Sequence, residues 1–532
     1  MRPSLLNPAV HPFSGFDVAH LLARHAAERP DHPFLIWEPF EGEGQTWSYA
    51  AFYEAIQRVA AGLKARGVQL GDRVLVHLDN CPESIIAWYA CAHLGAVAVT
   101  TNARSVADEL TYFSDHAAVV GAITQPKFAA LVAESCRAIK WLAVTDTDNG
   151  VPAAGDPLPS GAEGFADLYA DASDAPLRAP DPDLNIGIQY TSGTTSRPKG
   201  VVWTHANALW GGKLCAMHED LRPEDVHLVY LPLFHTNAQS YSVLSTLWVG
   251  GTIVVQPRFS ASRFWPVSLK HKCTWTSMVP FCVKALIEQP VPEKHFYRLW
   301  GNGVASLPTD AHFGVRTIGW WGMTETITHG IVSDPNLPAP AMTIGKPAPA
   351  YEIAIMNDDG TPTAVGETGA LLIRGIPGLS LFKEYLNNPQ ATAESFDENG
   401  FFITGDRVEL LEDGYIRFAD RDKDMLKVGG ENVAASEIER VVMTVPGIAE
   451  CAVVARKDKM LDEVPVAFLL VPGGEDAAAK DLKEQVMAAC LKGLADFKRP
   501  REIRILSEFP RSTLEKIAKA ELRKLIENQV EA

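Results

Sequence analysis

The chain has 532 residues, of which 47% are hydrophobic and 21% are charged, and its formal net charge is −17. This length exceeds what one ordinary hydrophobic core accommodates, so we expect several structural units with the composition of a globular protein. The negative charge excludes non-specific binding to nucleic acid, which needs clustered Lys and Arg. No apolar run reaches the length of a membrane helix, and prolines interrupt the first residues, where a secretory signal needs a continuous apolar segment. We therefore predict a cytoplasmic protein with no nucleic-acid partner and no stable membrane insertion.

The eight cysteines are widely separated along the chain. None forms a C-x-x-C pair, which is the usual spacing of zinc ligands and redox pairs. Buried, reduced thiols are therefore the expectation.

Helical and strand-like patterns alternate in the first part of the chain. Amphipathic helical periodicity covers residues 16–28 and 49–66, and a strand pattern covers 73–78. Residues 85–94 and 96–100 repeat the helix-then-strand order. This alternation favours a layered α/β architecture with largely parallel sheets.

Loop and short-strand patterns follow. Residues 148–182, rich in Ala, Pro, Gly and Asp, predict surface loops, and the turn-rich runs of 366–418 predict a small β subdomain. Beyond Asp420 a compact unit is expected, with a strand at 414–418 leading into it. Its predicted elements are a helix at 436–444, strands at 449–456 and 464–470, a helix at 477–494 and a basic tail helix. The fold class is therefore α/β, with a large N-terminal domain of layered α/β subdomains and a small β subdomain, followed by a small C-terminal α/β domain.

A loop rich in hydroxyl groups lies in the segment NIGIQYTSGTTSRPKG, residues 185–200. Hydroxyls, backbone N–H groups and one lysine together suit a polyphosphate, and glycine lets the backbone approach it closely. The loop is not a Walker A motif, because Lys199 precedes Gly200 and the extended run VVWTHAN follows. A flexible linker is the alternative for such a tract taken alone. The candidate phosphate ligands are Thr191, Ser192, Gly193, Thr194, Thr195 and Lys199.

Three later segments accompany this loop: GWWGMTET at 319–326, TGD at 404–406 followed by ADRDKDMLKVGGENV at 419–433, and PRSTLEKIAKAEL at 510–522. In this order and spacing they resemble the motifs of the adenylate-forming superfamily, which includes acyl-CoA synthetases, adenylation domains of peptide synthetases and luciferases. The resemblance covers essentially the whole chain. It is closest to the crotonobetaine/carnitine-CoA ligase-like branch, through WGMTETI, IGKPAPAYEIAI, FKEYLNNPQAT and KVGGENVAASEIE.

The resemblance implies a nucleotide site. Glu325 would hold Mg²⁺ against the ATP phosphates, as a hard oxygen ligand for a hard cation, and Thr324 would lie near the α-phosphate. Asp406 would accept hydrogen bonds from the ribose hydroxyls, and Arg421 would donate to the ribose and phosphate region. The other implied ATP- and AMP-binding positions are Gly301, Trp321 and Gly322.

The C-terminal motif implies a mobile lid over residues 422–532, after an N-terminal domain of residues 1–421. Lys516 matches the catalytic lysine, whose ammonium bridges carboxylate and α-phosphate. Glu515 replaces the usual glycine beside it, and Ser196 replaces a glycine of the phosphate loop. Lys423 matches the hinge, and Gly429 and Gly430 match the face of the CoA tunnel.

The predicted acyl pocket contains His235, Asn237, Trp320 and Gly322, although His235 is alternatively a histidine packed at a helix end. The absent side chain of Gly322 is expected to leave the pocket floor open, which favours a small-to-medium carboxylic acid with a polar group. The predicted function is ATP-dependent acyl-CoA ligation, with ATP, Mg²⁺ and coenzyme A. Two alternatives remain: an enzyme that loads an acyl carrier protein, and a degenerate nucleotide-binding regulator suggested by Glu515. The sequence leaves open whether the chain forms a homodimer.

Overall fold

The computed structural model describes residues 11–148, 150–152, 158–191, 198–421, 424–428, 431–458, 461–494, 496–511 and 517–527. The chain divides into two compact units: residues 1–352 with 373–402, and residues 353–372 with 403–532. None of the helices in these ranges is both long enough and apolar enough to cross a membrane.

The helices of the described ranges are mostly short, and their bounds are as follows. They are α1 Val18–Glu28, α2 Tyr49–Ala65, α3 Pro82–Leu94, α4 Ala107–Ala117, α5 Pro126–Ser135, α6 His205–His218, α7 Ser245–Val249, α8 Ala261–Lys270, α9 Pro280–Ile287, α10 Asp310–Phe313, α11 Pro389–Glu394, α12 Ala435–Val442, α13 Leu482–Gly493 and α14 Lys519–Glu527. A π-helix spans Asn237–Leu244. Turns of 3₁₀ helix span Phe165–Leu168, Ala172–Asp174, Thr324–Thr326, Glu475–Ala477 and Asp496–Lys498.

The strands alternate with these helices. In the first unit they are β1 Pro33–Trp37, β2 Gln45–Ser48, β3 Arg73–His77, β4 Val97–Thr100, β5 Gly121–Thr124, β6 Leu142–Val144, β7 Thr147–Asp148, β8 Val151–Pro152, β9 Ala162–Gly164, β10 Asn185–Thr191, β11 Lys199–Thr204, β12 Val226–Val229, β13 Thr252–Val255, β14 Trp275–Ser277, β15 Leu299–Asn302, β16 Arg316–Trp321, β17 Ile331–Val332 and β18 Lys346–Pro347. The later strands are β19 Glu352–Met356, β20 Thr368–Arg374, β21 Glu384–Tyr385, β22 Phe402–Leu410, β23 Ile416–Arg421, β24 Met425–Val428, β25 Glu431–Ala434, β26 Glu450–Asp458, β27 Asp462–Leu470 and β28 Glu502–Leu506.

Two large sheets organise the first unit. One has the strand order β18-β17-β16-β15-β14-β12-β13-β1-β2, and the other has the order β21-β11-β10-β4-β3-β5-β6-β9. Their central strands are parallel, and β4 and β13 are apolar and fully buried, as strands covered on both faces must be. The predicted layered α/β architecture with largely parallel sheets is confirmed.

The second unit contains a four-stranded sheet and a C-terminal α/β layer. The four-stranded sheet has the order β19-β20-β22-β23, where the small β subdomain was predicted. In the C-terminal layer, β25-β24-β27-β26 form a sheet to which β28 is added beside β27. Alternate residues of β26 point to opposite faces, so Val453 packs with α12 and α13 while Val454 packs with α14. Both faces of the C-terminal sheet are therefore covered.

Two sequence expectations need correction. The run VVWTHAN is extended only as far as Thr204, because the Thr204 side chain caps α6 by accepting from the N–H of Asn207. In the predicted surface-loop segment, the 3₁₀ turn Phe165–Leu168 buries Leu168 completely. Its carbonyl lies where a Cβ on Gly62 of α2 would be, so the segment is packed against a helix.

Candidate active site

The candidate phosphate loop is flanked by two paired strands. Strands β10 and β11 pair antiparallel, and the register pair nearest the loop joins Thr191 to Lys199. Residues 192–197 lie outside the described residues, so the predicted ligands Ser192, Gly193, Thr194 and Thr195 are not located. The two described candidates of this loop, Thr191 and Lys199, are therefore side by side at its base.

The candidate magnesium ligand Glu325 lies in the 3₁₀ turn Thr324–Thr326, shortly after the end of β16. Two hydrogen bonds fix the turn from outside: the indole Nε1 of Trp203 donates to the carbonyl of Thr324 at 2.9 Å, and the backbone N–H of Phe382 donates to the carbonyl of Glu325 at 2.8 Å. Glu325 is buried, whereas Thr324 is half-buried. The turn is thus held rigidly at the carboxyl end of a sheet strand, where α/β proteins commonly bind ligands.

The backbone immediately after this turn is strained. Ile327 has a φ of 61°, and the N–H of Thr328 donates to the carbonyl of Thr326 at 2.6 Å, which closes a γ-turn around it. A positive φ is unfavourable for a β-branched residue, and such strain often accompanies functional sites. The buried side chain of Ile327 and the hydroxyl of Thr326, which donates to the carbonyl of Thr328, help to hold this conformation.

A cation, an aromatic ring and a carboxylate follow one another between the phosphate loop and the turn. The ammonium of Lys199 lies 4.5 Å from the ring centroid of Tyr385, and the Tyr385 hydroxyl donates to Oε1 of Glu325 at 2.9 Å. Tyr385 is placed there because β21 pairs with β11, with Tyr385 opposite Val201. Burial raises the pKa of Tyr385, and the Glu325 charge raises it further, so the hydroxyl stays protonated as a donor.

These residues fit a bound Mg²⁺. Glu325 supplies a buried carboxylate, the ligand type that this ion prefers, and the Tyr385 hydroxyl fixes the orientation of that carboxylate. Neither Tyr385 nor Trp203 was among the residues predicted from the sequence. Tyr385 lies in FKEYLNNPQAT, a segment that supported the family resemblance, and that was the available signal.

Glycine at 301 is explained by close packing. A Cβ on Gly301, near the end of β15, would lie 1.6 Å from the indole of Trp320 on the neighbouring strand β16. The indole of Trp320 stacks on His329 with ring centroids 4.4 Å apart, and on Trp275 with centroids 5.9 Å apart. Trp321, the next residue of β16, is equally buried and pairs with Ile331.

The expectation of an open pocket floor at Gly322 is wrong. A Cβ on Gly322 would lie 2.4 Å from the hydroxyl of Tyr241 and 2.6 Å from the carbonyl of Thr328. Tyr241 belongs to the π-helix Asn237–Leu244, and its ring also lies beside Trp320, with centroids 5.7 Å apart. The π-helix therefore fills the space that the glycine leaves.

The remaining predicted acyl-pocket residues lie at the start of that π-helix. His235 is half-buried, its carbonyl accepts from the N–H of Gln239 at 3.0 Å, and its ring lies against Phe234. The amide oxygen of Asn237 and the amide nitrogen of Gln239 are buried without hydrogen-bond partners among the described residues. Because π-helical segments recur at functional sites, these buried polar atoms are candidates for substrate contact.

The second unit contains the ribose candidates. Asp406 of β22 and Arg421 of β23 are direct partners in the antiparallel register, so the structure brings these two positions together. Gly405 has a φ of 71°, a left-handed conformation that explains the glycine of T-G-D. Asp406 is buried, and its N–H donates to the hydroxyl of Thr404 at 3.1 Å.

The other predicted residues of the second unit fall outside the described residues: Lys423, Gly429, Gly430, Glu515 and Lys516. The chain is described on both sides of these segments, and at two of them the flanking residues pair. Val428 pairs with Glu431 across positions 429 and 430, and Arg511 pairs with Ile517 across the segment that contains Lys516. Arg511 also forms an ion pair with Glu450 of β26 at 2.8 Å. The base of the predicted lysine segment is therefore attached to the C-terminal sheet.

Two regions of the chain match known protein families. Residues 22–386 match the AMP-binding enzyme family, and residues 437–516 match the AMP-binding enzyme C-terminal domain. The crotonobetaine/carnitine–CoA ligase of Salmonella typhi is 35% identical over 511 residues, which cover 93% of this chain and 96% of that protein.

Solved structures give the same result. ATP-bound MatB from Rhodopseudomonas palustris matches with a TM-score of 0.83 and 26% identity, covering 96% of this chain and 99% of MatB. The O-succinylbenzoate coenzyme A synthetase of Bacillus subtilis, in complex with ATP and magnesium ion, matches with a TM-score of 0.80 and 27% identity, covering 95% of this chain and 99% of that one. The predicted family, fold class and AMP-forming ligase type are confirmed. The chain belongs to the AMP-binding enzyme family.

Proposed function

We propose that this chain is an ATP-dependent acyl-CoA ligase that acts on a small-to-medium carboxylic acid carrying a polar group. The observation that carries the proposal is the buried Glu325 carboxylate in the 3₁₀ turn after β16, oriented by the Tyr385 hydroxyl, with the Lys199 ammonium on the other side of the Tyr385 ring. This arrangement suits a metal-bound polyphosphate. The names of the relatives, which are CoA ligases and synthetases, support the same activity.

In the first half-reaction, a carboxylate oxygen of the acid attacks the α-phosphorus of ATP. The new O–P bond forms as the bond from the α-phosphorus to the bridging oxygen breaks, and pyrophosphate leaves with the electron pair. Mg²⁺, when bound, neutralises phosphate charge and orients the leaving group. Lys199 contributes positive charge at the phosphate loop, and Lys516 is proposed to stabilise the charge that builds at the α-phosphate.

In the second half-reaction, the thiolate sulfur of CoA attacks the carbonyl carbon of the acyl-adenylate. The C–S bond forms, the C–O bond to phosphate breaks, and AMP leaves. We propose that the C-terminal residues 422–532 rotate about Lys423 between the steps, withdrawing Lys516 and presenting Gly429 and Gly430 to the pantetheine arm. Such a motion lets one site catalyse the two half-reactions one after the other, and it does not itself accelerate either chemical step.

We infer the type of acid from the buried polar atoms at the start of the π-helix. The unpartnered amide atoms of Asn237 and Gln239 are buried, and a substrate polar group that pairs with them would remove a desolvation cost. The Salmonella relative is named for crotonobetaine and carnitine, which makes these two acids the first to test. Neighbouring chain lengths should be discriminated weakly, since each methylene contact contributes about 1 to 3 kcal/mol.

The proposal includes a cytoplasmic location. All eight cysteines are buried and free, as predicted, which is the usual state of thiols in a reducing compartment.

The decisive experiment incubates the purified protein with MgATP, CoA and a panel of acids that contains carnitine, crotonobetaine and saturated acids of about four to ten carbons. Equal amounts of AMP and CoA thioester are expected with at least one acid. The isosteric Glu325→Gln variant should lose both products, whereas Tyr351→Phe, which removes a buried hydroxyl bonded to backbone carbonyls near the same turn, should retain them. Acyl-adenylate formation without use of CoA would indicate loading of a carrier protein. Nucleotide binding without turnover of any acid would indicate a regulator.

A further inference from the structure

A cluster of three potential metal ligands lies beside Trp320, whose ring stacks on one of them. Cys215 and Glu219 are four residues apart at the end of α6, which places both on one side of the helix. His329 approaches them from the segment that follows the γ-turn around Ile327. The ligand atoms of Cys215, Glu219 and His329 all lie within 4.8 Å of one another, and all three side chains are buried.

The bare cluster leaves an unusual number of polar atoms unsatisfied. Both carboxyl oxygens of Glu219 and both ring nitrogens of His329 are without hydrogen-bond partners among the described residues, and neither residue is exposed at all. Oε1 of Glu219 lies 3.9 Å from Nε2 of His329, which is too long for a hydrogen bond. The nearby hydroxyl of Ser245 instead donates to the carbonyl of Tyr241 at 2.6 Å. Four neighbouring buried polar atoms without hydrogen-bond partners require either a buried ion or ordered water as a partner.

We propose that Cys215, Glu219 and His329 bind a divalent zinc ion. Thiolate, imidazole and carboxylate are the three side-chain types that bind zinc, and the two negative charges balance the charge of the ion. Zinc bond lengths of about 2.0 to 2.2 Å to nitrogen and oxygen imply a ligand separation of roughly 3.4 Å in a tetrahedron. The observed 3.9 Å between Glu219 and His329 therefore needs to contract by only a few tenths of an ångström.

The surroundings of the cluster already orient two of the three ligands, His329 and Cys215. The His329 ring is stacked between close neighbours, with centroid distances of 4.4 Å to Trp320 and 4.2 Å to Tyr241. The thiol of Cys215 donates to the hydroxyl of Thr328 at 3.1 Å, and the same hydroxyl would donate to the sulfur of a zinc-bound thiolate. Such outer contacts are characteristic of metal sites. One tetrahedral position is left for a water molecule.

The ion would connect two parts of the active site. Cys215 lies in the last turn of α6 and Glu219 is its C-cap, while Asn207 in the first turn of α6 donates from its side-chain amide to the carbonyls of Leu379 and Leu381. His329 lies four residues after Glu325. Zinc would thus fix the segment after the 3₁₀ turn to the helix below it, as a stabilising ion distinct from the Mg²⁺ that accompanies ATP.

The test begins with elemental analysis of the full-length protein purified from zinc-supplemented cells and desalted. One zinc ion per chain is expected. After removal of zinc with a strong chelator, Co²⁺ alone should restore a near-ultraviolet band from thiolate-to-cobalt charge transfer. The Cys215→Ser variant should lose the band, and Glu219→Gln should bind at least about 100-fold more weakly, because a lost ligand costs no less than a lost outer contact.

A matched control is His218→Gln. His218 lies on α6 between the two ligands, with its ring centroid 5.7 Å from that of His329, but it is not one of the three. This variant should keep full zinc content and the cobalt band. Wild-type protein without zinc whose thermal unfolding is unchanged by added Zn²⁺ or Co²⁺ would overturn the proposal. Zinc content equal to wild type in both Cys215→Ser and Glu219→Gln would overturn it as well, by placing the ion elsewhere.

Discussion

Removing the hydroxyl of Tyr385 should weaken Mg²⁺ binding while leaving most other contacts intact. In Tyr385→Phe, the aromatic ring that faces the Lys199 ammonium remains, but Oε1 of Glu325 loses the donor at 2.9 Å. A hydrogen bond to a charged group contributes about 1.5 to 3 kcal/mol, and loss of a group that orients a metal ligand lowers metal affinity about 10- to 100-fold. We expect the Mg²⁺ concentration for half-maximal adenylation to rise by that factor. Because burial raises the pKa of Tyr385, the wild-type hydroxyl remains a donor throughout the neutral and mildly alkaline range.

The assay is pyrophosphate exchange, measured as a function of free Mg²⁺ at saturating ATP and acid. The matched control is Tyr351→Phe, because the Tyr351 hydroxyl is also buried but bonds the backbone carbonyls of Thr326 and Ser380 at about 3 Å and no carboxylate. Both variants should lose similar thermal stability, and only Tyr385→Phe should shift the Mg²⁺ dependence. Equal Mg²⁺ dependence in the two variants would refute an orienting role for the Tyr385 hydroxyl.

Three further substitutions test the rest of the site. Gly322→Ala places a Cβ 2.4 Å from the Tyr241 hydroxyl, so it should lower the free energy of unfolding by about 1 to 3 kcal/mol. It should also lower kcat/KM for short and long acids alike. A selective gain for acetate would contradict the conclusion that Gly322 is needed for close packing. Lys516→Ala should lower the kcat of adenylation by roughly 10² yet leave thioester formation from added acyl-adenylate intact, and equal loss in both half-reactions would contradict the assignment. Lys423→Pro should fix φ near about −65°, preserve pyrophosphate exchange and abolish transfer to CoA; wild-type thioester formation would remove Lys423 from the hinge.

Local patterns were sufficient for much of the fold. The helix predicted at 49–66 is α2, Tyr49–Ala65, and the strand predicted at 73–78 is β3, Arg73–His77, because hydrophobic period and a terminating glycine are properties of neighbouring residues. The helix predicted at 477–494 begins only at Leu482, since a 3₁₀ turn at Glu475–Ala477 precedes it. Asp481 occupies the N-cap position of this helix, but its side chain makes no capping hydrogen bond.

Contacts between segments that are distant in the sequence could not be predicted from such local patterns. Tyr385 reaches Glu325 because β21 is added at the edge of the sheet beside β11, and no local spacing encodes that pairing. The proposed zinc ligands illustrate the same difficulty, because the widely spaced cysteines predicted only buried, reduced thiols. The i, i+4 pair of Cys215 and Glu219 was visible in the sequence, but His329 joins them only through the packing of Ile327, in the γ-turn, against Gly211 of α6.

Gly322 shows why an absent side chain has two opposite explanations. A glycine beside a predicted pocket either leaves a space for the substrate or permits another part of the protein to approach, and the sequence of the strand is the same in both cases. Here the neighbour is Tyr241, whose hydroxyl lies within contact distance of the missing Cβ and whose ring packs beside Trp320. The π-helix that carries Tyr241 therefore occupies the space beside residue 322. Tyr241→Phe, which shortens that side chain by one oxygen, should accordingly widen the accepted acids more than any substitution at Gly322 does, as kcat/KM across the acid panel will reveal.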